Sequence, residues 1–221
     1  MKKLFYITML YGVLLSDQII PKDFSYLKAK MPKFDATLID IHLKLYEGYV
    51  AQVNFIDSNM DKTEDPFLLQ SLRKQYGFEY DGMSLHELYF GQLGGNGKTP
   101  NKKRVLDRIE TTFGSFENFR SKVLSFAKTR GIGWIILFGN IDGGDLKLSW
   151  VADHEKGFLS GWVPVCVIDL WEHAYLSQFG LDKNNYIDLL FEYMDWSVIN
   201  TRYIEGCKTI KNNYKEIKKK F

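Results

Sequence analysis

Cysteine and histidine are both scarce in this sequence of 221 residues, which contains two cysteines and four histidines. Cys166 and Cys207 have neither the spacing of a thiolate metal motif nor that of a redox motif, and two thiols do not make a disulfide framework. The net charge of +2 is also small, which argues against nucleic acid or a membrane surface as the partner. Only the tail, residues 207–221, is strongly basic, and this is typical of a solvated helix end.

Long hydrophobic runs are missing as well. The apolar stretch within residues 1–18 is too short to span a bilayer. It also lacks the small-residue cleavage site that ends a signal peptide. We therefore expect no stable membrane span and a cytoplasmic protein, with export through this N-terminal extension as the alternative.

Two common catalytic motifs are absent. No G-x-S-x-G sequence is present, so the nucleophile elbow of a serine hydrolase is not indicated. The stretch "GQLGGNGKTP" lacks the first glycine of a phosphate-binding loop, and Pro100 stands where the helix of that motif should begin. We interpret this stretch as a plain loop.

Hydrophobic and aromatic residues are plentiful, at 45% and 15% of the chain. Asp35 is a candidate N-cap for a long amphipathic helix, and a second helical region starts at about Pro66. We assign the buried face of the first helix to the apolar residues at helical spacing, which are Leu38, Ile41, Leu45, Tyr49 and Val53. Residues 103–129 give another helical pattern.

The periodicity then changes to three short apolar or alternating runs, "GWIILFGN", "DLKLSWVAD" and "WVPVCVID", before helical spacing resumes. This order predicts an α+β fold, with an N-terminal helical hairpin followed by an α/β domain that contains a small three-stranded antiparallel sheet. The predicted units are an N-terminal extension (1–18), a helical hairpin domain (19–100), an α/β metal-binding domain (101–206) and a basic tail (207–221).

The segment "VCVIDLWEHAY" places Asp169 and His173 directly after an apolar strand. A buried carboxylate and imidazole either satisfy each other or bind something together. A carboxylate with imidazoles and no thiolate suits iron or manganese better than a structural zinc ion. Each histidine taken alone fits a satisfied core or surface residue better than a metal ligand.

The same segment resembles the signature of the iron/manganese superoxide dismutases, D-x-W-E-H-A-Y, which is complete here. Further stretches resemble that family in the same order along the chain. They are "YEGYVAQVN", "LHELYFGQL", "FGSFENFRSKV", "GIGW" and "YMDWSVINTRY". The similarity extends from about residue 20 to residue 205.

The resemblance implies a mononuclear metal held by three histidines and one aspartate. It places His86, Asp169 and His173 on three ligand positions and leaves His42 as the candidate for the fourth. Around the metal it implies roles for several more residues: Tyr49 as gateway tyrosine, Trp134, Trp171 and Phe90 in an aromatic shell, His154 as hydrogen-bond partner of metal-bound solvent, and Glu172 reaching across a dimer.

Two departures from the family pattern concern the first helix. The first ligand histidine normally lies eight residues before the gateway tyrosine, and Ile41 occupies that position. His42 would point about 100° away from it on a regular helix, so we expect a one-residue slip or a local bulge to bring His42 in. A histidine–tyrosine pair that bridges the family's dimer is replaced by Leu45 and Leu176.

The resemblance thus implies a superoxide dismutase that is a homodimer, acts on superoxide and uses one manganese or iron ion per chain. Gly82, one turn before His86, differs from the glutamine common in iron enzymes and favours manganese slightly. The alternative function is a non-catalytic metal-binding member of the same fold with an incomplete site. A further alternative is an α+β interaction protein in which the histidines only pack the core.

Overall fold

The computed structural model describes residues 18–98 and 104–218, with side chains as far as residue 207. The N-terminal extension, apart from residue 18, and the predicted domain boundary at residues 100 and 101 lie outside the described residues. The helices are α1 (Leu27–Lys30), α2 (Ala36–Met60), α3 (Pro66–Gly91), α4 (Arg104–Phe113), α5 (Phe116–Phe126), α6 (Leu176–Phe179), α7 (Lys183–Tyr193) and α8 (Trp196–Lys218). The strands are β1 (Gly133–Asn140), β2 (Leu146–Ala152) and β3 (Trp162–Asp169), and a short 3₁₀-helix (Glu172–Ala174) follows β3.

This order of elements confirms the predicted α+β fold, in which a helical hairpin precedes a small sheet with helices. The hairpin consists of α2 and α3, and each helix starts with a capping aspartate. The Asp35 carboxylate accepts a hydrogen bond from the Thr37 amide at 2.7 Å. Asp65 does the same for the Phe67 amide at 2.9 Å, and Pro66 occupies the first position of α3. In the described part of the chain, no helix has both the length and the apolar character needed to cross a bilayer.

The buried face of α2 differs from the predicted one. Ile41 is 53% exposed, whereas His42 and Tyr46 are buried. The full buried set is Leu38, Ile39, His42, Tyr46, Val50, Val53 and Ile56. Ranking by hydrophobicity was wrong here because the two polar side chains find partners inside: His42 meets Asp169, and the Tyr46 hydroxyl donates to Glu87 at 2.9 Å.

The helical pattern at residues 103–129 forms two helices rather than one. Gly114 lies between α4 and α5 with a φ of +87°, a conformation that glycine adopts without a steric cost. Ser115 then caps α5, since its hydroxyl accepts a hydrogen bond from the Asn118 amide at 3.0 Å. The glycine and the cap together end one helix and start the next.

The sheet has the order β2-β1-β3, and both pairs of strands are antiparallel. Every residue of the central strand β1 is buried except its last, as expected for a strand covered on both faces. In the register of β1 and β3, Trp134 lies opposite Asp169. The end of β3 therefore places Asp169 beside a buried tryptophan, and α3 packs against this strand.

Candidate metal centre

Four side chains from four separate elements converge in the protein interior. His42 comes from α2, His86 from α3, Asp169 from the end of β3 and His173 from the 3₁₀-helix. Each offers one donor atom, and the four donor atoms all lie within 4.8 Å of one another. The Asp169 Oδ2 atom lies 3.1 Å from His42 Nε2, 3.3 Å from His173 Nε2 and 3.6 Å from His86 Nε2.

Water is largely excluded from this cluster. His86 and Asp169 are fully buried, and His42 is 4% exposed. The side chain of His173 is 14% exposed, so this residue forms the outer side of the cluster. Buried polar groups require partners, and the donor atoms of these four residues face one another.

The orientation of His86 is set by its own helix. Its Nδ1–H donates to the Gly82 carbonyl at 2.6 Å, so Nδ1 carries the proton of the neutral ring. Nε2 therefore has a free lone pair, and it faces the cluster. A backbone carbonyl bound to the far nitrogen is a common way to hold a metal-binding histidine in one tautomer.

Asp169 is held as a carboxylate from two sides. Burial by itself would raise its pKa, but the neighbouring His173 and His42 together hold the pKa below its usual value. Its Oδ1 atom accepts a hydrogen bond from the Trp171 amide at 2.8 Å. This leaves Oδ2 directed at the histidines.

Two of the histidines are kept neutral. Burial lowers the pKa of His42 in spite of the nearby Asp169, and burial with the neighbouring His42 lowers the pKa of His86 well below its usual value. A neutral imidazole is the form that binds metal ions. Nitrogen donors with one carboxylate and no thiolate fit a single iron or manganese ion.

A second group of side chains lies against the cluster and forms a hydrogen-bonded chain. The Trp134 indole N–H donates to His154 Nδ1 at 3.0 Å, and His154 Nε2 lies 2.8 Å from the Tyr49 hydroxyl. Because an indole N–H can only donate, Nδ1 must be the unprotonated nitrogen. The proton of neutral His154 is therefore on Nε2, which donates to the Tyr49 oxygen.

Aromatic rings pack around the four candidate ligands and the hydrogen-bonded side chains Trp134, His154 and Tyr49. Trp171 stacks on His154 with ring centroids 4.6 Å apart, and Trp134 meets His86 edge-on at 5.0 Å. Phe90 packs on His42 at 4.8 Å. The structure thus brings the three predicted aromatic residues to the cluster.

Sequence reasoning missed Phe78. Its ring lies 4.6 Å from that of His154 and 6.4 Å from that of Trp171. A signal was present, because Phe78, Gly82 and His86 recur every four residues and so share one face of α3.

The chain is similar in sequence to known proteins. The model of the iron/manganese superoxide dismutase C-terminal domain matches residues 101–202. A superoxide dismutase [Mn/Fe] of Aeropyrum pernix is 29% identical over 180 residues, which are 78% of this chain and 84% of that protein. A superoxide dismutase [Fe] of Aquifex aeolicus is 31% identical over 172 residues, 74% of this chain and 80% of that protein. The chain belongs to the iron/manganese superoxide dismutase family.

This family member departs from the expected pattern in α2, and the structure shows how. The helix is unbroken from Ala36 to Met60, so the expected slip or bulge is absent. Seven residues make two helical turns less about 20°, so His42 and Tyr49 share one face of a regular helix. Ile41, at the usual ligand position, points outward instead.

The other three family positions need no adjustment. His86, Asp169 and His173 lie in the cluster as the signature implies. Glu172 and Leu176 are exposed on either side of His173 along the chain, and Leu45 is half-buried. The names of the relatives include manganese, iron and both metals, so those names do not select one metal.

Proposed function

We propose that this chain is a superoxide dismutase that converts superoxide into oxygen and hydrogen peroxide. In this proposal His42, His86, Asp169 and His173 hold one iron or manganese ion. The observation that carries the proposal is the convergence of these four donor atoms within 4.8 Å in a buried site. Membership of the family and the intact D-x-W-E-H-A-Y signature support it.

The charges of the four donor side chains suit a metal ion that carries out one-electron chemistry. When bound, the metal supplies the one-electron chemistry by alternating between two and three positive charges. One carboxylate with neutral imidazoles offsets part of that charge and leaves the site attractive to an anion. Exclusion of water by Trp134, Phe90 and Trp171 strengthens each of these electrostatic interactions.

Tyr49 and His154 hold protons at defined atoms, and reduction of superoxide to hydrogen peroxide consumes protons. His154 Nε2–H donates to the Tyr49 oxygen, so the hydroxyl proton of Tyr49 is free to donate to another acceptor. Burial raises the pKa of Tyr49 well above its usual value, which keeps this hydroxyl protonated. We infer that Tyr49 presents a hydrogen-bond donor to the substrate and that His154 fixes its direction.

The proposal includes manganese as the favoured ion. A Cβ at Gly82 would lie 2.7 Å from the Tyr49 ring, so the glutamine that is common at this position in iron enzymes has no space here. His154, which follows β2, instead contacts Tyr49, with its Nε2 atom 2.8 Å from the Tyr49 hydroxyl.

The proposal also includes a homodimer in the cytoplasm. Exposed Glu172 and Leu176 flank His173 along the chain, and the resemblance to the family, which implies a subunit contact through Glu172, supports the dimer. Sedimentation equilibrium of the metal-loaded protein tests the dimer, and a monomer at micromolar concentration would contradict it.

Fractionation of the native host tests the cytoplasmic location, and recovery of the protein from an extracytoplasmic fraction would favour export.

Metal content measured together with superoxide consumption, on protein purified from its native host, tests the function. We expect one iron or manganese ion per chain and rapid consumption of superoxide. The variant Asp169→Asn should lose both, because it removes the one anionic donor while preserving shape. Asp188→Asn is the matched control, since that carboxylate lies at the surface and pairs with Arg120.

Two outcomes would overturn the proposal. Bound metal without superoxide consumption would indicate the non-catalytic member of the fold. Absence of iron and manganese from the native protein would remove the metal centre itself.

A further inference from the structure

Gln92, the residue at which α3 ends, pairs with β3 through its side chain. It is fully buried. Its Nε2 donates to the Val167 carbonyl, and its Oε1 accepts from the Val167 amide at 3.1 Å. Within residues 18–98 and 104–218, the order β2-β1-β3 leaves this edge of β3 without a neighbouring strand. The amide therefore satisfies two backbone groups that an unpaired edge would leave exposed.

Arg202 of α8 holds Gln92 from the other side. Its Nη1 donates to Gln92 Oε1 at 3.1 Å, and its Nη2 donates to the Leu88 carbonyl at 2.7 Å. Carbonyls in the last turn of a helix lack helical partners, and a cation is favoured there. A Cβ at Gly91 would lie 3.2 Å from this guanidinium, so a glycine at that position leaves it room.

The amide of Gln92 has only one chemically consistent orientation. Its oxygen accepts from two donors, the Val167 amide and Arg202, while its nitrogen faces a carbonyl. The reverse orientation would place an NH₂ group against both donors. The contact is thus directional and fixes the end of α3 against β3 in one position.

This contact joins the two elements that carry the candidate ligands His86 and Asp169. Val167 precedes Asp169 by two residues on β3, and Gln92, the C-cap directly after α3, follows His86 by six residues, about 9 Å along a helix axis. The separation of His86 Nε2 from Asp169 Oδ2 is 3.6 Å. A shift of α3 along β3 would change that separation directly.

We propose that Gln92 and Arg202 are positioning residues for the metal: they hold α3 on the edge of β3 so that His86 and Asp169 stay at the separation that retains the ion. This inference rests on the proposed function, because it assumes that the cluster binds iron or manganese.

The test measures release of the metal from purified, folded protein into an excess of chelator. Gln92→Met keeps the side-chain volume but removes the three hydrogen bonds that Gln92 makes to Val167 and Arg202. Arg202→Met removes the two hydrogen bonds that Arg202 donates to Gln92 and to the Leu88 carbonyl. We expect about tenfold faster release for Gln92→Met, within the range found when partners outside the ligand set are removed, and a smaller increase for Arg202→Met. The electron paramagnetic resonance spectrum of the bound metal should change in both variants. The double variant should release metal little faster than Gln92→Met, because both residues act through one network.

Tyr203→Phe is the matched control. The Tyr203 hydroxyl donates a buried hydrogen bond, 2.6 Å long, to the Gly144 carbonyl in the loop between β1 and β2, and it takes no part in the hydrogen bonds that join α3 to β3. Its loss should lower resistance to urea while metal release and the spectrum stay as in the wild type.

The outcomes separate this inference from the proposed function. Wild-type release rates in the folded Gln92→Met and Arg202→Met proteins would overturn the inference and leave the function standing. Equally fast release from Tyr203→Phe would also overturn it, since general loss of stability would then be the cause. If Gln92→Met does not fold, Arg202→Met alone decides. A wild-type protein that binds neither iron nor manganese would instead contradict the proposed function.

Discussion

His154 should make the metal-free protein sensitive to mild acid. The residue is fully buried, and burial lowers its pKa to about 4 from an ordinary value of 6.5. Its hydrogen bonds act in the same direction, because a second proton would have to go to Nδ1, which faces the Trp134 indole N–H. Between pH 6.5 and 4, His154 therefore binds a second proton in the unfolded chain but stays neutral in the folded protein.

The sign and the size of the effect follow from this difference in proton binding. When the unfolded state binds more protons, the free energy of unfolding falls as the pH falls. The contribution of His154 to the free energy of unfolding is complete above pH 6.5 and is lost progressively as the pH falls to 4. At about 1.4 kcal/mol for each pH unit, the loss from this residue amounts to about 3 kcal/mol over the whole window.

Urea denaturation of metal-free wild type and His154→Gln, from pH 7 to pH 4, measures this loss. Glutamine does not titrate, so the wild type should lose about 3 kcal/mol more than the variant across the window. His42 and His86 also have lowered pKa values, but they are present in both proteins and their contribution cancels in the comparison. Parallel curves for the two proteins would refute the assignment of His154 as a buried neutral base.

Three further substitutions probe the same region, and a fourth, Gly48→Ala, serves as a control. Trp134→Phe removes the indole donor, so His154 should accept a proton more readily and the acid sensitivity in the same urea titrations should shrink; an unchanged titration would contradict the donor role. Tyr49→Phe should slow superoxide consumption by about tenfold, because it removes one hydrogen bond to the substrate worth about 1 kcal/mol, and a rate equal to wild type would exclude the role of Tyr49. Gly82→Ala places a Cβ 2.7 Å from the Tyr49 ring and should cost about 1–3 kcal/mol in urea denaturation. Gly48→Ala in α2 is its control, since a Cβ there meets no atom within 4 Å, and it should stabilise the protein by up to about 1 kcal/mol.

Much of the fold was predictable from local patterns. Caps such as Asp35 and the runs that form β1, β2 and β3 depend on residues close in the chain, so the sequence displays them directly. The break between α4 and α5 at Gly114 was missed, although glycine followed by serine is a typical end and start of helices.

The candidate ligands also differ in how far the sequence alone identified them. Asp169 and His173 lie four residues apart and belong to one signature, so both could be identified from sequence. For His42 the pattern favoured the wrong side of α2, because Ile41 is the more hydrophobic residue. Only the packed structure shows that Ile41 is 53% exposed while His42 is 4% exposed.

Local order in the chain therefore determined the elements, the signature and the chemical types of the donors. The tertiary structure decided which face of α2 is buried, which tautomer of His154 faces Tyr49 and where Gln92 joins α3 to β3. These features depend on hydrogen bonds between residues distant in sequence, such as Gln92 with Val167 and Trp134 with His154. The physical reason is that a buried polar side chain is placed by its partner, and that partner becomes known only when the chain has folded.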